Sequence, residues 1–278
     1  MKYLVVFVLI ALSFSCELSD IHQVKIPKNI DYKYHQLGEG EEPKDGNSIG
    51  AFIVITSLTG DTLHYVPRYP YFFELGNTLV DSVFMAMKPD DSLSFTMDRK
   101  ILNDYFEFYQ LQESDEGKAV LNIKLTGVYN SEEADSIQKR VLSKREIKEQ
   151  EALLKYLNEV DINFEVVDGV YRRIEKRNDS TPINYGDEVT IQYVGRFLDG
   201  YVFDDTYLKP RPPSFTFGKE YQLIDGLHYG LIGLKEGERL KIILPSRRAF
   251  GEEGSVAGIV PPYTTVIFDI HIIKVNKK

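Results

Sequence analysis

Three aromatic residues and one carboxylate are the first candidates for chemistry in this sequence. Tyr193, Phe203 and Phe268 sit on segments of alternating hydrophobicity, and Asp204 follows Phe203 directly. Aromatic residues so placed either fill a core or wall a pocket. A Phe-Asp-Asp run is either a solvated turn or a carboxylate held against an apolar surface, and residue type alone leaves both readings open. The second candidate is the stretch "GEEGSVAGIVPPYTTVIFDIHIIKV", Gly251–Val275. Gly254 and Gly258 bracket a loop, and Pro261-Pro262 mark the entrance of a strand, because proline cannot continue a ladder from a central position. Ile259-Val260 between them either cap the core or form an apolar rim over a pocket. Covalent and metal chemistry have no such support. His22, His35, His64, His228 and His271 are scattered, none at a metal-ligand spacing from another His or a Cys. Cys16 is the single cysteine, so an intrachain disulfide is excluded, and no Ser-His-Asp or Cys-His set stands out.

The elements that must position these residues are legible around them. Val189, Ile191 and Tyr193 alternate as on a strand, and Asp199-Gly200 signals a tight turn into the next one. Val266, Phe268, Ile270 and Ile272 form a second alternating face, with Asp269 and His271 opposite. Between them, Leu227, Leu231 and Leu234 recur at helical spacing. The pattern predicts an α+β fold, a small antiparallel sheet covered on one face by a short helix.

The same pattern occurs twice. Gly46 and Gly60 match Gly186 and Gly200 at an offset of 140, and Gly76 matches Gly218 at 142. "MKPDDSLSF" (87–95) parallels "LKEGERLKI" (234–242), and "AVLNIKLTGV" (119–128) parallels "TVIFDIHIIKV" (265–275). Two copies of one domain, residues 30–130 and 162–278, are the simplest account. They are joined by residues 131–161, which contain no Gly or Pro and open on a capping pair, Asn130 with Glu133. Ala134, Ile137, Val141, Ile147, Leu154 and Leu157 recur there at roughly helical intervals. The stripe either packs on the chain's own domains or serves as a spacer or dimerising arm.

At 278 residues with 43% hydrophobic and 27% charged residues, the chain has room for two folded domains. Charge is uneven, with 10 Lys and Arg against 18 Asp and Glu over residues 17–130, and 16 of each over residues 162–278. An acidic front half argues against nucleic acid and against adsorption on anionic lipid. At the N-terminus, Lys2 precedes an apolar run, Tyr3–Phe14, too short for a stable membrane anchor and suited to a signal peptide. Cys16 follows the small residue Ser15, and the segment resembles a bacterial lipoprotein signal, although Ser13 takes the usual aliphatic place and Leu12 lies four residues before the cysteine. That reading makes residues 1–15 a signal peptide, Cys16 the lipidated first residue and residues 16–29 a tether. Ordinary secretion is the alternative and leaves a free thiol.

Read in order, "YGDEVTIQYVGRFLDGYVFDD", "FTFGKEYQLIDGLHYGLIGLKEGERLKIILPSRRAFGEEG" and "GIVPPYTTVIFDIHII" resemble the immunosuppressant-binding FKBP-type peptidyl-prolyl isomerase family over Gly169–Val275. The resemblance implies two FKBP-like domains, each a half-open antiparallel sheet wrapped round a short helix, joined by a long helix. It implies a pocket with Tyr193, Phe203 and Phe268 as aromatic walls and Asp204 as the polar group that orders the pocket and meets the substrate. Leu223 and Ile224 would line one edge, with the Ile224 N–H offered to a substrate carbonyl. Leu227 would be the floor, Ile259 and Val260 the rim, and Phe250 would stand where a hydrogen-bonding tyrosine is usual. Leu227 replaces a common Trp, Phe250 lacks a hydroxyl, and the wall near Pro213 often carries an aromatic residue, all of which point to altered or weakened activity.

The function so implied is cis–trans isomerisation of X-Pro bonds in proline-containing polypeptides, with no cofactor and with binding of the family's macrolide inhibitors. With the N-terminal signal it implies an exported, lipid-anchored folding helper of the cell envelope. The alternative is a non-catalytic client-binding or scaffold module that keeps the fold. The first copy carries Leu63-His64 in place of Phe-Asp and "TMDRKILNDYFEFYQLQESDEGKAV" in place of the glycine loop and rim, and is expected to be catalytically dead. Its Tyr65, Tyr69, Tyr71, Phe72 and Phe73 bind clients or pack internally.

Overall fold

The computed structural model describes residues 30–65, 69–106, 117–160, 163–255 and 258–278. The expected signal peptide, the Cys16 lipidation site and the tether lie outside the described residues. Among the described residues, no helix is long and apolar enough to cross a membrane.

Two antiparallel sheets carry the fold. The first holds β1 (Asp31–Gln36), β2 (Ser48–Ser57), β3 (Thr62–Tyr65), β4 (Tyr71–Glu74), β5 (Ser92–Asp98) and β6 (Lys118–Tyr129) in the order β1-β5-β6-β2-β3, with β4 also on β2. The second holds β7 (Glu165–Val167), β8 (Val170–Lys176), β9 (Glu188–Phe197), β10 (Val202–Asp205), β11 (Ser214–Thr216), β12 (Arg239–Leu244) and β13 (Val266–Asn276). Its order is β10-β9-β13-β12-β8-β7, with β11 on β9. Apart from the extra β7, the two sheets are strand-for-strand the same. Each also carries one short helix between corresponding strands, α1 (Leu79–Phe84) in the first and α4 (Asp225–Leu231) in the second.

The repeat extends to single hydrogen bonds. Gly46 N donates to Leu75 O (2.9 Å) and Leu75 N to Asn47 O (2.8 Å), just as Gly186 N donates to Phe217 O (2.8 Å) and Phe217 N to Asp187 O (2.8 Å). At the hairpin tip, Gly60 N donates to Ser57 O (3.1 Å) and Gly200 N to Phe197 O (3.0 Å). Both glycines have φ in the left-handed region, +95° and +91°, which favours residues without a Cβ. Asp91 and Glu238, both buried, each use two carboxylate oxygens to hold an incoming segment: Gly38 N and Lys88 N on Asp91, Asn178 N and Lys235 N on Glu238.

In the second module the alternation of β13 puts Val266, Phe268, Ile270 and Ile272 into a core with Leu227, Leu231 and Leu234. Helix α4 lies directly on the sheet because Gly226 and Gly230 face it: a Cβ on Gly230 would meet Ile242 Cδ1 at 2.5 Å, and one on Gly226 Leu244 Cδ2 at 2.6 Å. The alternation is incomplete, however. Ile243 and Ile267, on the opposite face of β12 and β13, are also buried, and they pack against Leu153 with Tyr156 and Leu157.

Those last three residues belong to α3 (Ser131–Glu159), a 29-residue helix of roughly 44 Å at about 1.5 Å per residue. It opens with the expected capping box, Glu133 N to Asn130 Oδ1 (2.9 Å) and Asn130 N to Glu133 Oε2 (3.2 Å). The packed stripe differs from the one expected. Ile147 and Leu154 are each 61% exposed, and the docked face runs through Ala134, Arg145, Glu149 and Leu153. Arg145 donates from Nε to Pro262 O (2.9 Å) and from Nη2 to Thr264 Oγ1 (2.8 Å), and its guanidinium lies 5.0 Å from the centre of the Tyr69 ring. Glu149 accepts from Ser246 N (2.6 Å), Ser246 Oγ (2.5 Å) and Thr265 Oγ1 (2.8 Å). Apolar periodicity found Ala134 and Leu157 but not Arg145 and Glu149, because those anchors are charged.

Candidate active site

Strands β9 and β10 form a hairpin that brings Tyr193 and Asp204 together. The ladder shifts register between Val202 and Asp204, leaving Phe203 as an extra residue. Such a bulge re-aims the side chains around it. Tyr193 Oη donates to Asp204 Oδ2 (2.6 Å), and Lys209 Nζ pairs with Asp204 Oδ1 (2.7 Å). Both carboxylate oxygens are thus fixed, although the side chain keeps 27% exposure. The next residues complete the support. Asp205 caps a short 3-10 turn, Thr206–Leu208, by accepting from Tyr207 N (2.9 Å). The fully buried Thr206 accepts from Tyr193 N (2.7 Å), so the turn that carries Lys209 is tied to the strand that carries Tyr193.

The aromatic rings meet edge to face. Phe268 lies 5.4 Å from Tyr193 at 79° and 5.8 Å from Phe203 at 87°, arrangements that the ring quadrupoles favour. Phe197 continues the cluster 5.0 Å from Phe203. Gly195 makes the approach feasible, since a Cβ there would stand 2.7 Å from Phe203 Cζ and 3.1 Å from Phe268 Cε1.

Beside this cluster opens a cavity of about 620 Å³. Of the residues expected at the site, Phe203, Asp204, Phe250, Ile259 and Val260 line it. Tyr193 and Phe268 stand behind, supporting Asp204 and Phe203. Leu223, Ile224 and Leu227 belong to the same apolar cluster but do not line the cavity, so Leu227 is packed core (6% exposed) rather than an open floor. Ile224 precedes α4, its carbonyl accepting from Leu227 N (3.0 Å) and His228 N (3.2 Å), and among the described residues no acceptor takes its own N–H. Val260 is 2% exposed and is held by its N–H on Ser255 Oγ (2.8 Å), while its carbonyl accepts from Ser255 N (2.8 Å). The loop of the opening motif is therefore closed on itself at the cavity edge.

Sequence reasoning missed Lys209, Tyr201, Leu208, Pro210, Thr62 and Leu63, which also line the cavity. Lys209 had a signal, a cation five residues after a carboxylate across a turn. Tyr201 titrates above its ordinary value, because burial and then its neighbour Tyr65 disfavour the phenolate. Thr62 and Leu63 come from β3 of the first module, and nothing local in the sequence announces that contact.

In the first module the described part of the segment that replaces the glycine loop packs inward. Within that segment α2 (Arg99–Phe106) has Leu102 fully buried, and its Tyr105 and Phe106 meet Phe73 edge to face at 6.1 and 6.5 Å. Tyr105 Oη donates to Asp81 (2.6 Å), and burial followed by this bond pushes the phenol well above its ordinary pKa. Phe73 is internal as well, 5.2 Å from Phe84. Tyr65, Tyr69 and Tyr71 turn instead toward the second module and the linker.

The family description "FKBP-type peptidyl-prolyl cis-trans isomerase" matches residues 179–273, within the second module. An FK506-binding protein of Neisseria meningitidis serogroup C is 37% identical over 90 residues, which is 32% of this chain and 81% of that one. A peptidyl-prolyl cis-trans isomerase of Saccharomyces cerevisiae is 34% identical over 109 residues, 39% of this chain and 79% of its own. Among solved structures, a peptidyl-prolyl cis-trans isomerase from Pseudomonas syringae aligns with 49% of this chain and 96% of its own at 22% identity and a TM-score of 0.42. With a relative above 30% identity matched over four-fifths of its length and the motifs falling in one module, the chain belongs to the FKBP-type peptidyl-prolyl cis-trans isomerase family.

Proposed function

We propose that the second module isomerises X-Pro bonds of cell-envelope polypeptides by desolvating the amide in the cavity beside Phe203 and Asp204. The observation that carries this reading is the carboxylate fixed on both oxygens, by Tyr193 and Lys209, at the edge of an aromatic-walled opening. Rotation about an amide costs about 18–20 kcal/mol because planarity carries conjugation. The twisted amide has lost resonance and is less dipolar, so an apolar site penalises it less than the planar ground state. In this reading the proline ring lies against Phe203 under Ile259 and Val260. Ile224 stands outside the cavity lining and is given no substrate contact, while Asp204 with its partners keeps the polar edge in one arrangement. A thousandfold acceleration requires only about 4 kcal/mol, which these groups can supply without a nucleophile.

Export and a lipid on Cys16 would place the protein at the membrane, with the first module as a non-catalytic companion. Its filled interior supports that role. Mass spectrometry of the mature N-terminus tests the lipid: a diacylglyceryl cysteine is expected, and an unmodified thiol at Cys16 overturns the tether.

Catalysis is tested by exchange NMR of a proline tetrapeptide with the whole protein. The wild type should raise the cis–trans exchange rate. Asp204→Leu should lower the gain by about tenfold to a hundredfold, the size of losing hydrogen bonds to a charged group. Phe268→Ala should lower it as well, by freeing Tyr193 and Phe203. A wild type that leaves the exchange rate at its uncatalysed value refutes the reading and favours a client-binding module without catalysis.

A further inference from the structure

The cavity at the isomerase site is not built by one module. Thr62 and Leu63 of β3 line it together with Tyr201, Val202 and Leu208 of the second module. We propose that the first module supplies one wall of the substrate site, and that Thr62 and Leu63 are specificity-determining residues touching the bound polypeptide beside its proline. This inference rests on the isomerase reading above and adds a substrate preference to it.

Three independent contacts hold the wall in place. Tyr65 meets Tyr201 edge-on at 5.1 Å and 67°. Tyr71 Oη donates to Gly258 O (3.3 Å), in the loop that carries the Ile259-Val260 rim, and His64 Nε2 lies 2.7 Å from the same hydroxyl. The third contact is Arg145 of α3, which touches Tyr69 on one side and Pro262 O and Thr264 Oγ1 on the other. With Glu149 anchoring the same helix to Ser246 and Thr265, the first module is fastened to the loop and strand beside the pocket.

The repeat explains which strand was available. β3 is the counterpart of β10, and at an offset of 140 Leu63-His64 stand where the second module has Phe203-Asp204. In the first module Leu63 packs against the core that also takes Leu102, Tyr105 and Phe106 of α2. His64 is fully buried and braces Tyr71, while Leu63, half-buried against its own core, and the exposed Thr62 also line the neighbour's cavity. A volume of about 620 Å³ is in the range that takes a drug-sized ligand, so the wall narrows the site without filling it. Leu63, Tyr201, Val202, Leu208 and Pro210 make the mouth largely apolar. The polypeptide that fits best carries an apolar side chain next to the proline, lodged between the modules.

The test measures selectivity within each protein, because a ratio of kcat/KM values is independent of the fraction folded. Tetrapeptides that differ only in the residue before or after proline (Leu, Ala, Glu) are compared by exchange NMR on the wild type, Thr62→Lys and Leu63→Ser. Thr62 is exposed, so its variant carries little folding risk. Thr62→Lys should raise the Glu-to-Leu ratio about threefold, the size of a part-exposed ion pair. Leu63→Ser should lower the Leu-to-Ala ratio about fivefold through lost apolar contact. If both variants keep wild-type ratios at both flanking positions while the wild type remains active, the wall is not part of the substrate site and the inference fails alone. If the wild type accelerates no peptide, the isomerase reading fails and this inference falls with it.

Discussion

Replacing Glu149 with alanine removes a carboxylate that bolts α3 to the second module. In the structure it accepts from Ser246 N, Ser246 Oγ and Thr265 Oγ1, and both partner residues are buried, at 4% and 2% exposure. The hydroxyls can swivel toward water admitted by the truncation, but the Ser246 N–H cannot turn. A buried donor left without a partner costs about 1–3 kcal/mol, and hydrogen bonds to a charged group are worth about 1.5–3 kcal/mol each. Allowing for the adaptable hydroxyls, the net loss should be about 2–4 kcal/mol. For a protein of this size that lowers Tm by roughly 4–16 °C at about 2–4 °C per kcal/mol. Glu149→Gln keeps an oxygen for the Ser246 N–H and offers its amide to a hydroxyl that can rotate to accept, so it should cost about 1 kcal/mol. Thermal unfolding followed by circular dichroism gives the comparison, with rescue by glutamine as the internal control. An alanine variant within 0.5 kcal/mol of wild type would refute the docking of α3 at Ser246 and Thr265.

Three more outcomes can be measured. Gly195→Ala should force the Phe203 ring away from a Cβ only 2.7 Å off, costing about 1–3 kcal/mol in a urea titration and lowering the exchange rate of a proline peptide. Phe250→Tyr puts a hydroxyl on the cavity wall and should raise kcat/KM about five- to tenfold if it bonds the twisted carbonyl, the worth of about 1 kcal/mol; an unchanged value means that the ring points its para position elsewhere. Asp187 is held below the usual carboxylate range by the hydrogen bond from Lys277 and then by the Asn184 N–H. Its lowered folded pKa stabilises the protein above the ordinary Asp value, and that contribution disappears as pH falls through the folded value. Between about pH 5 and 2 the wild type should therefore lose more Tm than Asp187→Asn, and parallel curves would remove Asp187 from the acid response.

The fold was readable wherever a local rule governs it. Gly60 and Gly200 sit at the tips of matching hairpins, and Gly46 and Gly186 begin matching hydrogen-bond pairs, so the offset of 140 in the sequence is the offset in the structure. The core face of β13 followed from its alternation. Where two partners share a strand the rule was incomplete: Ile267 lies on the face opposite the core, with Asp269 and His271, and it packs against a helix over 100 residues earlier in the chain. The linker shows the complementary difficulty. Ile147 and Leu154 of the expected stripe are exposed, and Arg145 and Glu149 join Leu153 in the docking because the surfaces they meet present backbone and hydroxyl groups. At the site, Asp204 and its aromatic neighbours were legible because family order fixes them along one module. The wall from Thr62 and Leu63 was not, since a contact between modules leaves no periodicity in either.

The layer that α3 lays over Ile243 and Ile267 has a consequence for where this protein can be divided. By repeat boundaries the isomerase ends at its own β7, and an excised copy beginning there would look complete. It would in fact carry a bare greasy strip on its outer face, with the Ser246 amide and two hydroxyls facing the space that a glutamate had occupied. The smallest piece that keeps the second module's own outer face covered therefore starts inside the connecting helix, upstream of Arg145, and a version trimmed to the sequence repeat should self-associate through the uncovered strands.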